Sequence, residues 1–212
     1  NNQIAIGFVV GLGYSNPHLS PFEEFQRFKT HPEIRKFLEG GKRISYGARA
    51  LTAGGLQSLP KLTFPGGVLV GDDAGFLNAA RIKGSHCAIK SGMLAAEACF
   101  DALAKECQHD ELTAYPEAFK ASWLHEELHL SRNFKPWMAK GLKLGSLMFG
   151  IDQMVFGGKA PWTLHNTKPD HAKLKLAADT QPIIYPKPDG VLTFDRLSSV
   201  FLSSTNHEED QP

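Results

Sequence analysis

The residues best suited to chemistry lie between positions 68 and 96, where an apolar run is followed by glycines and then by a helical pattern. Gly71 and Asp72 end the apolar run, and the Asp72 carboxylate can accept hydrogen bonds from sugar or ribityl hydroxyls. Gly75 and Gly84 allow backbone N–H groups to approach a ligand that a Cβ atom would keep away. The spacing predicts a flavin- or nucleotide-binding loop, while a plain strand–turn–helix with an exposed aspartate remains the alternative.

A helix predicted to begin near Ser85 would add positive partial charge to this loop. Its first N–H groups have no partner within the helix, and its dipole favours negative charge at that end. A flavin needs such an end near N1 and the C2 carbonyl, because negative charge accumulates there on reduction. The predicted apolar stripe of this helix consists of Ile89, Met93, Ala96, Phe100 and Leu103.

The phosphate loop that opens a dinucleotide-binding unit does not occur in this sequence. The stretch 11–16, Gly-Leu-Gly-Tyr-Ser-Asn, fails the Gly-x-Gly-x-x-Gly pattern at its last position. If a flavin binds, we expect its main pyrophosphate-binding element to lie outside this chain.

The elements that must position this loop show ordinary start signals. Residues 4–12 form an apolar, β-branched run typical of a buried strand, and residues 42–53 also read as strand-like. Ser20, Pro21 and Glu23 give the start of one helix, and a second should run over residues 32–38. Further helices are predicted near residues 112–130 and 141–156, and short strands at 68–70 and 191–194. In the first helix, Phe22, Phe25 and Phe28 predict a core face, with a quinone tunnel as the less favoured interpretation.

The sequence His125-Glu126-Glu127-Leu128-His129 matches the H-E-x-x-H pattern of zinc metallopeptidases. On a helix the two histidines would share a face, with Glu126 placed as the general base. A zinc site would also need a third ligand. Only Asp152 could supply it, and only if the glycine-rich stretch 141–158 folded back onto this helix. A solvated helix face is the favoured interpretation, and we predict no metal ligands in this chain.

The stretch 141–156 is a candidate for contact with a membrane. Its longest uncharged run is eight residues, far below the roughly 20 apolar residues of a spanning helix. Nearby lysines and the tryptophans Trp137 and Trp162 are typical of a helix lying in the membrane interface. A helix packed into the core is the alternative.

The composition is that of a folded protein without a strong charge bias. The 212 residues carry a formal net charge of +1, which argues against binding to nucleic acid by phosphate neutralisation. The three cysteines, Cys87, Cys99 and Cys107, lack a CxxC pair, so neither a disulfide framework nor a thiolate metal cluster is expected. Both ends read as abrupt, which suggests a fragment of a longer protein.

Several long segments resemble the electron transfer flavoprotein–ubiquinone oxidoreductases. The resemblance is carried by Gly54-Gly55-Leu56-Gln57-Ser58-Leu59-Pro60, Thr63-Phe64-Pro65-Gly66-Gly67, Gly75-Phe76-Leu77-Asn78, Ile82-Lys83-Gly84-Ser85-His86, Pro161-Trp162-Thr163-Leu164 and Tyr185-Pro186-Lys187-Pro188-Asp189-Gly190. Similar segments at 19–27, 40–51, 197–200 and 205–208 extend it over essentially the whole chain.

This resemblance implies FAD, a four-iron four-sulfur cluster and a ubiquinone site in one polypeptide, which passes electrons from reduced electron transfer flavoprotein to membrane ubiquinone. It assigns a second FAD-contacting loop to Gly71, Asp72, Gly75, Asn78, Lys83, Gly84, Ser85 and His86. Asp72 would meet the ribityl chain, and Asn78 and Ser85 could hydrogen-bond the flavin ring. It implies no catalytic acid or base in this chain, and it places the phosphate loop, the paired-glycine quinone contact and the cluster cysteines outside it. The fragment alone should therefore be inactive.

The expected fold is α+β, a glutathione-reductase-like FAD domain portion with a quinone-binding sheet and helix portion, followed by the start of a ferredoxin-like cluster domain. The domain boundaries follow composition shifts: 1–55 for the quinone part, 56–160 for the FAD part with the interfacial segment at 137–157, and 161–212 for the linker and cluster domain. The expected location is a monotopic one, on the cytoplasmic face of a bacterial inner membrane or the matrix side of the mitochondrial one. A FixC-like or geranylgeranyl-reductase-like flavoprotein is the alternative, since it shares the Gly-Asp loop.

Overall fold

A computed structural model of the chain describes residues 2–107 and 109–203, and its regular structure is mostly helical. The chain divides into two compact units, one made of Asn1–Arg49 with Lys168–Pro212 and the other of Ala50–Thr167. Its elements in chain order are α1 (Pro21–Lys29), α2 (Pro32–Leu38), β1 (Thr63–Phe64), β2 (Gly67–Val68), α3 (Gly71–Ala74), α4 (Ser85–Ala104), α5 (Ala114–Ala121), α6 (Trp123–Leu130), α7 (Phe134–Met138), α8 (Leu142–Phe156) and α9 (Arg196–Phe201).

The first unit contains α1, α2 and α9. Ser20 caps α1 by accepting a hydrogen bond from the Glu23 N–H, and Pro21 occupies the first turn, which confirms the predicted start. The three phenylalanines of α1 are only half-buried, whereas Gln26 and Lys29 are buried. The helix therefore turns a polar edge inward, where its amide and ammonium groups find partners.

Lys29 is held among aromatic rings. Its Nζ lies 5.5 Å from the ring centre of Phe25 and 4.9 Å from that of Phe194. The Arg43 guanidinium lies 3.7 Å from the centre of the same Phe194 ring. Burial, together with the nearby Arg43 charge, lowers the pKa of Lys29 to about 8. Cation–π contacts stabilise this buried amine where a carboxylate partner would otherwise be required.

Three predicted strands, over residues 4–12, 42–53 and 191–194, are wrong within the described residues. Residues 2–11 and 41–50 adopt no regular structure, and the side chains of Ile4 and Val9 are 61% and 74% exposed. An apolar alternating run forms a strand only when a neighbouring strand pairs its N–H and C=O groups. Within the described residues the strand pairing is that of the antiparallel strands β1 and β2, so the expected quinone-binding sheet is not present there.

The second unit is built around the long helix α4, whose predicted start at Ser85 is confirmed. It packs against α3, α5 and α6. The centre of the core contains Phe76, Tyr115 and Leu124, each fully buried, with Phe119 edge-on to Phe76. The Tyr115 hydroxyl donates to the Leu69 carbonyl, which anchors the segment after β2 to α5.

The stripe predicted for α4 does not face this core. Cys87, Leu94 and Ala95 are buried instead, whereas Met93 and Phe100 are 51% and 71% exposed. Periodicity identified the helix, but α4 is apolar on more than one face, so periodicity alone could not choose which face the unit buries.

The helix predicted over residues 112–130 is two helices. Ser122 is extended (φ −90°, ψ 158°) and separates α5 from α6, so the chain changes direction there. The break matters because it sets the direction in which α6 presents its charged side chains to the start of α4.

Helix α8 packs against α7 and leaves a broad apolar surface open. Asp152 is buried and accepts a hydrogen bond from Asn133 Nδ2, at 2.8 Å, while Leu147, Met154 and Val155 are exposed. Among the described residues, no helix combines the length and apolarity that crossing a membrane requires.

Candidate functional site

The predicted Gly-Asp segment is a single helical turn rather than an open loop. Gly71 has φ +62°, and its N–H donates to the Ser91 hydroxyl of α4 at 2.9 Å. Asp72 is half-buried in the first turn of α3. Gly75 ends the turn with φ +93°, and an added Cβ would lie 3.3 Å from Thr52 Cγ2. These glycines are therefore required by the backbone of the turn itself.

The start of α4 is open and electropositive. Ser85 and Lys83 are exposed, Gly84 provides no capping side chain, and the first turn contains no acidic residue. A Cβ on Gly84 would lie 2.8 Å from Leu77 Cδ1, so glycine allows the helix start to sit against residues 76–77. The uncapped N–H groups of a 20-residue helix favour an electron-rich group at this end.

Asn78 closes the turn that leads into this helix start. Its backbone N–H donates to the Lys83 carbonyl at 2.9 Å, and the two residues form an isolated antiparallel bridge. The side chain is almost fully buried, and its Oδ1 accepts from the Arg81 N–H. Asn78 is therefore a fixed part of the loop framework.

His86 points from the first turn of α4 toward α6. Its Nε2 lies 2.9 Å from Oε1 of Glu127, and its ring stacks on Trp123 with centroids 5.9 Å apart. The same Oε1 accepts a hydrogen bond from Asn78 Nδ2 at 2.8 Å. We call these three residues, Asn78, His86 and Glu127, the Glu127 cluster. It joins two of the predicted site residues to Glu127, which lies on α6.

The electrostatics of the Glu127 cluster keep its carboxylate ionised. Burial raises the pKa of Glu127, but hydrogen bonds from Asn78 and His86 outweigh it, so the pKa lies below its usual value. Burial also raises the pKa of the neighbouring Cys87 thiol, and the Glu127 charge adds to that effect. At neutral pH, Glu127 is therefore an ionised carboxylate and the neighbouring Cys87 a neutral thiol.

His86, Cys87 and Glu127 also offer three ligand atoms within 4.8 Å of one another. Their lone pairs and protons are directed at each other, since Cys87 Sγ lies 3.5 Å from His86 Nε2. A zinc site would need the thiolate form of Cys87. A hydrogen-bonded cluster fits this geometry better than a metal site.

Glu127 was missed by the sequence reasoning, which assigned significance to its neighbour Glu126 in the H-E-x-x-H pattern. On α6 the side chain of Glu126 is exposed, while Glu127 and Trp123 share the face toward α4. Their i, i+4 spacing is the one signal that could have paired them. The pattern could not show which side of α6 faces the loop.

The two histidines of that pattern do lie together, with ring centroids 6.1 Å apart. Arg132 Nη1 lies 3.4 Å from His129 Nδ1, and burial, followed by the charge of Arg132, lowers the pKa of His129. A guanidinium at a candidate ligand opposes a bound cation, which argues against the zinc hypothesis.

In the first unit, the family-like segment 19–27 contacts two others, at 185–190 and at 40–51. The Tyr185 hydroxyl donates to Glu24 and accepts from the Ser20 N–H, and Asp189 accepts from three successive backbone N–H groups at 191–193. Phe22 lines a shallow open pocket with Tyr46 and four other residues. The quinone-tunnel interpretation of the phenylalanines stays a prediction.

Comparisons with known proteins agree with the resemblance. A family profile described as "ETF-QO, ubiquinone-binding" matches residues 1–51. The whole chain is 61% identical to an electron transfer flavoprotein-ubiquinone oxidoreductase of Pseudomonas aeruginosa and 56% identical to a probable one of Acinetobacter baylyi, covering 39% and 40% of their lengths. Over 99% of the chain it is 55% identical to the mitochondrial protein of that name from Rattus norvegicus, of which it covers 35%. The chain thus spans between 35% and 40% of the length of these relatives.

Proposed function

Because the chain belongs by sequence to the electron transfer flavoprotein–ubiquinone oxidoreductases, we propose that it forms part of an enzyme of that activity. In this proposal electrons pass from reduced electron transfer flavoprotein, through FAD and a four-iron four-sulfur cluster, to ubiquinone. The matches favour this function over the FixC-like and geranylgeranyl-reductase-like alternatives, which share the Gly-Asp loop. The observation that carries the proposal is the identity over the whole chain.

The residues around the start of α4 fit one end of a flavin. Gly84 leaves the helix start bare, and no acidic side chain lies in its first turn. In the proposal, Ser85 and the uncapped N–H groups contact the pyrimidine end of the flavin, and the Lys83 ammonium adds positive charge. FAD, when bound, would supply the electron-carrying chemistry.

The other predicted contacts are proposed with different roles. Asp72 is half-buried, so its carboxylate could accept from ribityl hydroxyls, while Gly71 and Gly75 shape the turn that holds it. Asn78 is almost fully buried, so we propose that it shapes the flavin loop through its bonds to Lys83 and Glu127. His86 is committed to Glu127 and Trp123, so we propose that it acts on the site through these contacts.

The cluster and the quinone head group would be held mostly by other parts of the enzyme. Cys87 is buried in the core and Cys99 and Cys107 lie on other turns, so the proposal assigns the cluster ligands to residues beyond this chain. The match of residues 1–51 supports a contribution of the first unit to the quinone part. The glutathione-reductase-like architecture and the ferredoxin-like cluster domain are proposed from the family alone.

Helix α8 is the proposed membrane contact. Leu147, Met154 and Val155 are exposed, and Met154 is 89% exposed, a large apolar area for a free surface. A helix of 15 residues with lysines nearby suits the interface rather than a crossing. Relatives occur in bacteria and mitochondria, so the proposed sides are the cytoplasmic face and the matrix face respectively.

The absorption spectrum of the intact protein tests the proposed function. A flavin band with underlying cluster absorption, bleached by reduced electron transfer flavoprotein and restored by a soluble ubiquinone, is the expected result. A folded, colourless protein would refute it. For the membrane contact, Met154→Glu should weaken flotation with anionic vesicles, whereas Leu197→Glu, which changes an apolar residue of α9 that is 85% exposed, serves as the matched control.

A further inference from the structure

Glu127 holds two parts of the candidate flavin loop with one carboxylate. Oε1 accepts from Asn78 Nδ2 at 2.8 Å and lies 2.9 Å from His86 Nε2, and Oε2 lies 3.1 Å from the same nitrogen. The side chain is one-fifth exposed, so these charge-assisted contacts are only partly screened by water.

The two partners bracket the segment that would face the flavin. Asn78 lies at one end and His86 at the other, and between them come Lys83, Gly84 and Ser85. The bridge between Asn78 and Lys83 closes the turn within the segment. Fixing both ends to α6 therefore fixes the position of the exposed helix start.

The carboxylate also determines which way the Asn78 amide points. An ionised carboxylate can only accept, so Nδ2 must be the atom that faces Glu127. Oδ1 then accepts from the Arg81 N–H, as the structure has it. With its side chain 2% exposed, Asn78 serves to hold the loop that leads into α4.

The orientation of His86 is fixed from the same helix. Its ring is parallel to that of Trp123 within 4°, and Trp123 lies one turn before Glu127 on α6. Stacking sets the ring plane and the carboxylate sets the direction of Nε2. Two residues of α6 thus immobilise the first turn of α4.

We infer that Glu127 is a positioning residue for the flavin, an inference that rests on the proposed FAD site. Glu127 holds the Asn78 amide and the start of α4 in the arrangement that receives the flavin ring. Glu127 acts through Asn78 and His86. Its charge also lies close enough to the helix start to oppose negative charge on a reduced flavin.

The test uses the intact protein with Glu127→Ala, Glu127→Gln and the control Glu126→Ala. Glu126 lies on the exposed side of the same helix, so its variant removes an equal charge outside the Glu127 cluster. For each we would measure the FAD dissociation constant, the flavin midpoint potential and the zinc content.

Glu127→Ala should weaken FAD binding about tenfold, because a charged hydrogen bond is lost at each end of the segment. Its midpoint potential should rise, since a negative charge has been removed. Glu127→Gln keeps an acceptor for Asn78, so its FAD affinity should be near that of the wild type while its potential still rises. Glu126→Ala should change neither quantity.

If Glu127→Ala matches Glu126→Ala in both FAD affinity and potential, the inference is overturned. It is also overturned if the wild-type protein holds stoichiometric zinc that Glu127→Ala loses. If Glu127→Ala does not fold, the flavin midpoint potential of Glu127→Gln decides instead, and a value equal to that of the wild type overturns the inference. A wild-type protein without FAD would instead reject the proposed function itself, so the two failures are distinguishable.

Discussion

Two ionised side chains of the segment 123–132, those of Glu127 and Arg132, lie in opposite kinds of surroundings. Glu127 is partly exposed and contacts side chains, those of Asn78 and His86. Arg132, just beyond α6, is 5% exposed and donates mainly to carbonyl groups of the backbone. Its acceptors are the carbonyls of His129, Gly158, Ala160 and Trp162 and the hydroxyl of Thr163.

The difference separates a structural role from a functional one. A guanidinium that satisfies buried carbonyls fixes the path of residues 158–163, and no ligand can compete for it. A carboxylate that orients side chains at an open helix start can influence a ligand there. We therefore expect changes at Arg132 to act mainly on stability and changes at Glu127 to act on the proposed flavin site.

The largest effect is expected from Arg132→Ala. Several buried carbonyls would lose their donor at once, and the free energy of unfolding should fall by about 3 kcal/mol or more. Arg132→Lys, which keeps the charge but loses the planar fork, should fall between this variant and the wild type. Denaturant unfolding of the intact protein measures this effect. An unchanged unfolding midpoint in Arg132→Ala would contradict the structural role assigned to Arg132.

A smaller loss of unfolding free energy is expected from Gly84→Ala, which tests how closely the start of α4 packs at the candidate site. The new Cβ would lie 2.8 Å from Leu77 Cδ1, so the helix start must shift, at a cost of about 1–3 kcal/mol. Gly92→Ala on the same helix is the control, since its Cβ would meet no described atom within 4 Å. That variant should be stabilised by about 0.5–1 kcal/mol. Equal effects of the two substitutions in an unfolding experiment would contradict the proposed close contact at Gly84.

The pH dependence of stability distinguishes Glu127 from Glu126. The pKa of Glu127 is lower in the folded state than its ordinary value of 4.5, so its stabilisation is present above that pH. It is lost as the pH falls through the lower folded value. Glu127→Gln should therefore flatten the decline in unfolding free energy below about pH 4.5, by about 1 kcal/mol in total. Glu126→Gln, which removes the same charge from the exposed side of α6, is the control. An identical decline in the wild type and Glu127→Gln would show that Glu127 gains nothing from its partners.

The smallest effect concerns Cys87, which borders the Glu127 cluster. Burial raises the pKa of its thiol and the side chain has no exposed area. We expect alkylation by iodoacetamide at neutral pH to be at least about tenfold slower in the folded protein than in denaturant. Peptide mass spectrometry would locate the label. Rapid labelling of folded Cys87 would mean that this part of the cluster opens readily.

Local signals in the sequence predicted several elements correctly. Ser20 and Pro21 start α1, because caps and first-turn residues act within a few positions along the chain. The predicted start of α4 at Ser85 is also correct, although no side chain caps this helix. The strands over 4–12 and 42–53 were wrong in the described residues, since pairing depends on a neighbour that may be far away in sequence. Ser122 likewise ends a helix that its apolar periodicity would have continued.

Of the candidate site, the sequence by itself determined the loop: Gly71, Gly75 and Gly84 mark the turns and the bare helix start, and long family-like segments identified the relatives. Only the tertiary structure decided that Glu127, rather than Glu126, meets Asn78 and His86. The physical reason is that glycine requirements are set by backbone angles and contacts of nearby residues. A carboxylate 49 residues from Asn78 becomes its partner only after the break at Ser122 and the packing of α6 on α4 choose which face of the helix turns inward.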